Sequence, residues 1–196
     1  MKKILILMLV FVMAFSFAAC DPQEDTTAVF AEFKAAAEAS SSYSKITVET
    51  KVDTDIAGEL KSSIVTEIAE DGSKTITYTR DVLDSSDALA APKTETKTIT
   101  CDASGTYSDG GSFVEANKLA LGFKLSLATD KLLDYSVSES ALSASVSKDN
   151  VESVLGVSFG ADVDIVITLA GGKVSFVSVS YTDANGYAVA TTCTYE

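Results

Sequence analysis

The closing stretch of the chain, Val163 to Tyr195, reads VDIVITLAGGKVSFVSVSYTDANGYAVATTCTY. Its apolar side chains alternate with polar ones in three runs, which is the period-two pattern of strands with one buried face. Gly171-Gly172 separates the first two runs, and Asp183 to Gly186 separates the last two. Because such turns join neighbouring antiparallel strands, the stretch predicts a three-strand meander with one apolar face.

The same alternation occurs earlier in the chain. It covers four further runs, at 43–53, 60–68, 74–81 and 94–101. Each run places apolar side chains on one side and Thr, Lys, Glu or Asp on the other, as in half-buried antiparallel strands. The residues between them, such as Glu70 to Ser73, favour turns, whereas 84–92 is predicted to be a loop.

Two helices are predicted. Apolar residues from Val29 to Ala37 recur at three- and four-residue spacing, and Asp25 or Thr26 can cap a helix that extends to about Ser40. A short helix is predicted from Asp149 to Leu155, because a glycine follows it directly.

The stretch from Phe113 to Tyr135 carries two patterns. Apolar residues alternate strictly from Leu119 to Leu127, which favours an extended chain, while Thr129 to Leu133 has the pattern of a capped helical turn. Ser136 to Ser147 is predicted to be one strand of low apolar content.

These elements predict an α+β domain over residues 25–196. Its main part is a curved antiparallel sheet, which is packed by the N-terminal helix and by short helical insertions. This order of elements resembles that of the LolA- and LppX-like lipoprotein carriers. The resemblance implies a half-barrel whose concave face holds an acyl chain and is lined by Ile46, Val48, Ile165, Ile167 and Val177.

The first nineteen residues have the layout of an export signal. A positive start with Lys2 and Lys3 precedes an uncharged run from Ile4 to Phe17. As a helix that run of fourteen residues is roughly 21 Å long, too short for a ~30 Å hydrocarbon core. A cleaved signal is therefore favoured over a permanent membrane helix.

The end of this segment resembles a bacterial lipobox. Phe17-Ala18-Ala19-Cys20 has the small residues and the cysteine of that motif, with Phe at a position more often held by Leu. The resemblance implies signal peptidase II cleavage after residue 19, acylation of Cys20 with chains such as palmitate, and a short tether over residues 20–24. The protein is then anchored by lipid to the extracytoplasmic face of a cell membrane. The alternative is an ordinary secretory signal in which Cys20 is incidental.

Charge excludes one class of function. Without Lys2 and Lys3 the 15 basic residues become 13, against 28 acidic residues, which gives a net charge of −15. Such a surface repels phosphates, so we expect no nucleic-acid partner.

Two cysteines remain after Cys20. Cys101 and Cys193 are a candidate disulfide, since an exported protein meets oxidising conditions. Each also continues the apolar face of its own strand, so buried free thiols are the alternative.

Motifs for catalysis and metal binding are weak. Gly156-Val157-Ser158-Phe159-Gly160 matches the nucleophile elbow of hydrolases, but that motif needs a preceding strand and a histidine, and the chain has no histidine. Asp102 with Asp109, and Asp162 with Asp164, offer carboxylates for calcium, yet neither pair has the EF-hand spacing, and Asp is common in turns. We expect no metal, no cofactor and no enzymatic activity.

Two functions remain open from the sequence. The first is a binding or carrier module for a lipid or another apolar ligand held by the sheet. The second is a structural or interaction lipoprotein of the cell envelope that has no small-molecule ligand. The first predicts a cavity lined by aliphatic side chains, and the second predicts a filled core.

Overall fold

The computed structural model describes residues 26–39, 43–55, 58–83 and 91–196. The predicted export signal, Cys20 and most of the loop predicted at 84–92 lie outside these residues. The helices are α1 (Thr26–Glu38), α2 (Ser112–Ala116) and α3 (Lys148–Leu155), with short 3-10 helices at Lys118–Leu121 and Thr129–Lys131. The strands are β1 (Lys45–Thr54), β2 (Gly58–Ile68), β3 (Lys74–Val82), β4 (Lys93–Cys101), β5 (Leu133–Val137), β6 (Ala141–Val146), β7 (Val163–Ala170), β8 (Lys173–Thr182) and β9 (Ala188–Tyr195).

The nine strands form one curved sheet in the order β4-β3-β2-β1-β9-β8-β7-β6-β5, and every neighbouring pair is antiparallel. Its two meanders, β1 to β4 and β5 to β9, join at the centre, where Val48 of β1 lies opposite Cys193 of β9. The sheet is open, with β4 and β5 at its edges. The α+β class and the antiparallel sheet predicted from the sequence are therefore confirmed, and so is the closing meander.

One face of the sheet carries the hydrophobic core. Cross-strand partners share a face, so the register aligns apolar side chains from different strands in rows. The central row contains Val48, Cys193, Val177, Ile167 and Leu142, all of them buried. Hydrophobic contact among these rows is the main source of stability.

The opposite face of the sheet is polar and rich in hydroxyl groups. Thr79 and Thr96 lie opposite one another on β3 and β4, with their hydroxyl oxygens 3.4 Å apart. Threonine suits this surface because its β-branched side chain favours a strand and its hydroxyl group faces water.

The connection from β4 to β5, residues 102–132, must pass from one edge of the sheet to the other. It contains α2 and both 3-10 helices, and several of its apolar side chains belong to the core. The hydroxyl of Thr66, which is fully buried on β2, donates a hydrogen bond of 2.6 Å to the carbonyl of Ala120 in this connection. Helix α1 covers another part of the same face, against β8 and β5.

The region from Phe113 to Ser147 differs in part from the prediction. Residues 122–128 are not in a helix or strand, but Lys124 and Ser126 donate backbone hydrogen bonds to the end of α3, as an extended segment does. The predicted turn at Thr129 is present as a 3-10 helix. The single strand predicted at 136–147 is wrong, because the chain turns back between β5 and β6, where the amide of Ser138 bonds to the carbonyl of Ala141.

We predict that Thr66→Val lowers the free energy of unfolding by about 1–3 kcal/mol, because it leaves the buried carbonyl of Ala120 without its donor at nearly constant volume. The measurement is urea unfolding of a chain that begins at residue 21. This chain keeps all of the described residues, which form one sheet with one core. The control is Thr77→Val on the polar face, for which we expect a change within about 0.5 kcal/mol. An equal loss of unfolding free energy in both variants would contradict the stabilising role of the hydrogen bond between Thr66 and the connection.

Candidate functional site

The five residues predicted to line an open apolar face lie on one side of the sheet, as expected, but they are largely covered. Ile165, Ile167 and Val177 are at most 1% exposed and belong to the core. Val48 borders a cavity beneath the connection, and Ile46 borders a larger cleft at the end of β1. The middle of the sheet is therefore filled by the protein's own side chains.

The larger cleft, which we call the rim cleft, has a volume of about 940 Å³. It lies where the C-terminal end of α1 and the connection leave one end of the sheet uncovered. Its apolar wall is formed by Ala36, Ala37, Ala39, Tyr43, Ile46, Ile68, Ala69, Leu121, Phe123, Leu125, Val174 and Tyr195. The volume is at the upper end of the usual range for small-molecule sites.

Small residues leave space on one side of the rim cleft. The last turn of α1 carries alanines at 36 and 37, where longer side chains would extend into the cleft. On the other side, Gly122 allows the connection to pass very close to the ring of Tyr195, since a Cβ at this position would lie 2.7 Å from the ring. Its φ of +79° also favours glycine.

Hydrogen bonds within the protein use the polar atoms of the aromatic wall. The hydroxyl of Tyr43 donates to the carbonyl of Val174 at 3.0 Å, and the hydroxyl of Tyr195 accepts from the amide of Phe123 at 2.8 Å. The two tyrosine rings pack with centroids 4.8 Å apart. Burial raises the pKa of Tyr195 well above its usual range, so this hydroxyl stays neutral. The wall thus offers mainly apolar contact.

Charged side chains occur at the mouth of the rim cleft. Lys74 and Lys124 border it together with Glu38 and Glu70. Glu38 lies 4.0 Å from Lys34, one turn earlier on α1. Among the described residues neither Lys74 nor Lys124 has a carboxylate within 4.0 Å, although the Lys74 ammonium lies 3.2 Å from the carbonyl of Gly72.

A second cavity, of about 390 Å³, lies on the other side of the connection, beside β1 and β2. It is more polar, and Ser158 of the hydrolase-like motif borders it. Ser158 is exposed on the loop after α3, and its hydroxyl accepts a bond of 3.4 Å from the amide of Gly160. The motif follows a helix that ends at Gly156 in a left-handed conformation, which is not the strand-to-helix turn of a nucleophile elbow.

Two of the aspartates considered for calcium, Asp102 and Asp109, stabilise turns. Asp102 accepts hydrogen bonds from the amides of Ser104 and Thr106 and from the Ser104 hydroxyl, which lowers the pKa of Asp102. Asp109 accepts from the amide of Phe113 at the start of α2. Within the described part of the chain, no three His, Cys, Asp or Glu residues cluster as metal ligands would.

The two candidate disulfide partners are free and buried. Cys101 ends the edge strand β4, whereas Cys193 lies on the central strand β9, and three strands separate them. That separation is roughly 19 Å along the sheet, far beyond the ~4.4–6.8 Å between the Cα atoms of bridged cysteines. The alternative of buried free thiols describes this structure.

Sequence reasoning did not find the rim cleft, although one signal for it exists. Two of the alternating leucines of the connection, Leu121 and Leu125, line the cleft, and the sequence shows no neighbouring strand that would pair with this segment. The alanines of α1 did not indicate a cleft, because alanine is common in helices for its helix propensity alone.

Comparison of the chain with protein-family models and with curated proteins gave no match in either case. Among the helices of the described residues, none has the length and apolar character needed to cross a membrane.

We predict that the thiol of Cys193 is unreactive in the folded domain, because burial raises its pKa from 9.0 to about 11. In a Cys101→Ala chain that begins at residue 21, a thiol reagent at about pH 8 should label Cys193 only after urea is added. Rapid labelling without urea would contradict the burial.

The same pKa difference makes stability depend on pH. As the pH rises, the unfolded chain loses the thiol proton at a lower pH than the folded chain does. The stability that the folded state gains from this difference is therefore complete below pH 9.0 and is lost as the pH rises to about 11. Relative to Cys193→Ala, we expect a loss of about 1 kcal/mol in the free energy of unfolding between about pH 7 and about pH 10.

Proposed function

We propose that this protein is a lipid-anchored, extracytoplasmic binding module, without catalytic activity, that holds an apolar ligand in the rim cleft. The observation that carries the proposal is the apolar wall of this open cleft, whose volume is about 940 Å³. A concave site lined mainly by apolar side chains is the first place to expect a small-molecule ligand. The likeness to a half-barrel carrier supports the same idea, with the ligand at the end of the sheet instead of over its middle.

The anchor is the second part of the proposal, and it rests on the first twenty residues. A short positive start, an apolar run and the lipobox-like Phe17 to Cys20 together favour acylation of Cys20. More than one acyl chain gives stable membrane attachment, which a single chain does not. Because few residues separate Cys20 from α1, the binding domain would work close to the bilayer.

The filled middle of the sheet favours a second candidate function. Ile165, Ile167 and Val177 are closely covered, as in a domain whose sheet needs no ligand to complete its core. In that case the protein is a structural or interaction lipoprotein of the cell envelope, and the rim cleft holds only water.

We predict that Ala37→Phe weakens binding of a long-chain apolar ligand by about tenfold or more, since the larger side chain occupies the rim cleft. The matched control is Ala35→Phe, on the exposed side of the same helix. Both changes have the same helix propensity cost, so circular dichroism should show equal folding.

Binding is measured by native mass spectrometry of lipid that co-purifies with a chain that begins at residue 21, and by titration with lauryl alcohol. Co-purified lipid in the wild type and in Ala35→Phe, but not in Ala37→Phe, is the expected result. Absence of any bound ligand in the wild type would favour the second candidate function.

We predict that Cys20→Ser abolishes incorporation of labelled palmitate when the full chain is expressed in bacteria, because the acylated sulfur is removed. The protein should then leave the membrane fraction or keep its uncleaved signal. The control is Cys101→Ser, which should be labelled like the wild type. Labelling that persists in Cys20→Ser would contradict the anchor.

A further inference from the structure

We infer that the ligand of the rim cleft is a single-chain amphiphile with an anionic head group, such as a carboxylate or phosphate, held at the mouth by Lys74 and Lys124. This inference rests on the proposed function, because it concerns the same cleft. It adds the chemical class of the ligand and the direction in which it lies, with the chain inside and the head group outside.

The first argument comes from the ion pairs of the domain. Several cations of the domain lie next to carboxylates, as Lys61 does at 2.9 Å from Glu59 and Lys45 at 3.9 Å from Glu196. Five described lysines have no carboxylate within 4.0 Å, namely Lys74, Lys124, Lys131, Lys148 and Lys173. Two of these five, Lys74 and Lys124, border the same cleft, in a domain whose charge is otherwise strongly negative.

The carboxylates at the mouth reduce this charge without cancelling it. Glu38 is near Lys34, so its charge is already balanced within α1. Glu70 has no ion pair among the described residues and opposes an anion. Two lysines without an ion pair, against one carboxylate without an ion pair, leave the mouth with a positive excess, which complements a head group of one negative charge.

The second argument comes from the wall behind the mouth. Every buried side-chain nitrogen or oxygen in the described residues has a hydrogen-bond partner within the protein. The hydroxyls of Tyr43 and Tyr195 also have hydrogen-bond partners in the protein, so neither tyrosine leaves an unpaired polar atom inside the cleft. A ligand that buried a polar group there would lose hydrogen bonds to water without replacement. The inner part of the ligand is therefore a hydrocarbon chain, and its polar group belongs at the mouth.

The two lysines that border the cleft belong to different elements. Lys74 is the first residue of β3, and Lys124 lies in the connection. A head group between them would thus link the sheet to its cover. Both ammonium groups have flexible stems, so they can approach an anion without a change in the backbone.

The test compares laurate with lauryl alcohol, which have the same chain and differ in the head group. Equilibrium dialysis with a chain that begins at residue 21 measures both affinities at neutral pH. We expect laurate to bind about fivefold more tightly than the alcohol, and this preference should shrink between about 0.01 M and about 1 M ionic strength. Acetate alone, which lacks the chain, should not bind measurably.

The decisive variant is Lys74→Gln/Lys124→Gln, which removes both cations from the mouth. It should bind laurate no more tightly than lauryl alcohol, while lauryl alcohol itself still binds. The control is Lys131→Gln/Lys148→Gln, which removes the same charge from lysines outside the cleft and should keep the preference. Glu70→Gln should increase the preference for laurate.

Each outcome has a separate meaning. If the wild type binds both ligands with equal affinity, the anionic head group is wrong while the apolar cleft stands. If the control variant loses the preference as fully as the mouth variant, the effect is one of net charge and the inference is overturned. If neither ligand binds, the proposed function itself fails.

Discussion

The pairing of β1 with β9 is the interaction on which the rest of the structure depends. It joins the first meander to the last one over eight residue pairs, from Ile46 with Tyr195 to Asp53 with Ala188. Without it, β1 to β4 and β5 to β9 would each have one more open edge and a smaller apolar face to bury. The first strand, β1, and the last, β9, are neighbours at the centre of the sheet. As a result β4 and β5, which follow one another in the chain, lie at opposite edges of the sheet.

That arrangement forces the connection across the sheet, and it explains the rim cleft. A chain that must pass from β4 to β5 covers the apolar face on its way, and Thr66 fixes it there through the carbonyl of Ala120. Helix α1 covers the side near β8. The two covers do not meet at the end of β1, and the space between them is the cleft that we propose as the ligand site.

The sequence predicted the elements more completely than the site. The alternation in β7 to β9 and the spacing in α1 reflect which face of an element is buried, and each element shows that locally. The hairpin between β5 and β6 was missed, because Ser138 to Ser140 resemble the serines of the neighbouring strands. The candidate ligand face was identified as apolar, but its cover depends on which residues lie opposite it.

By itself, the sequence determined the α+β class, the strands with one apolar face, the acidic surface and the lipobox-like segment at Cys20. These properties depend on residues close together in the chain or on composition. Only the tertiary structure decided the strand order, the separation of Cys101 from Cys193, and the meeting of Ala37 with Leu125 at one cleft. Such contacts join residues that are far apart in the chain. Many pairings of similar strands satisfy the same local pattern, and packing of the whole core selects one of these pairings.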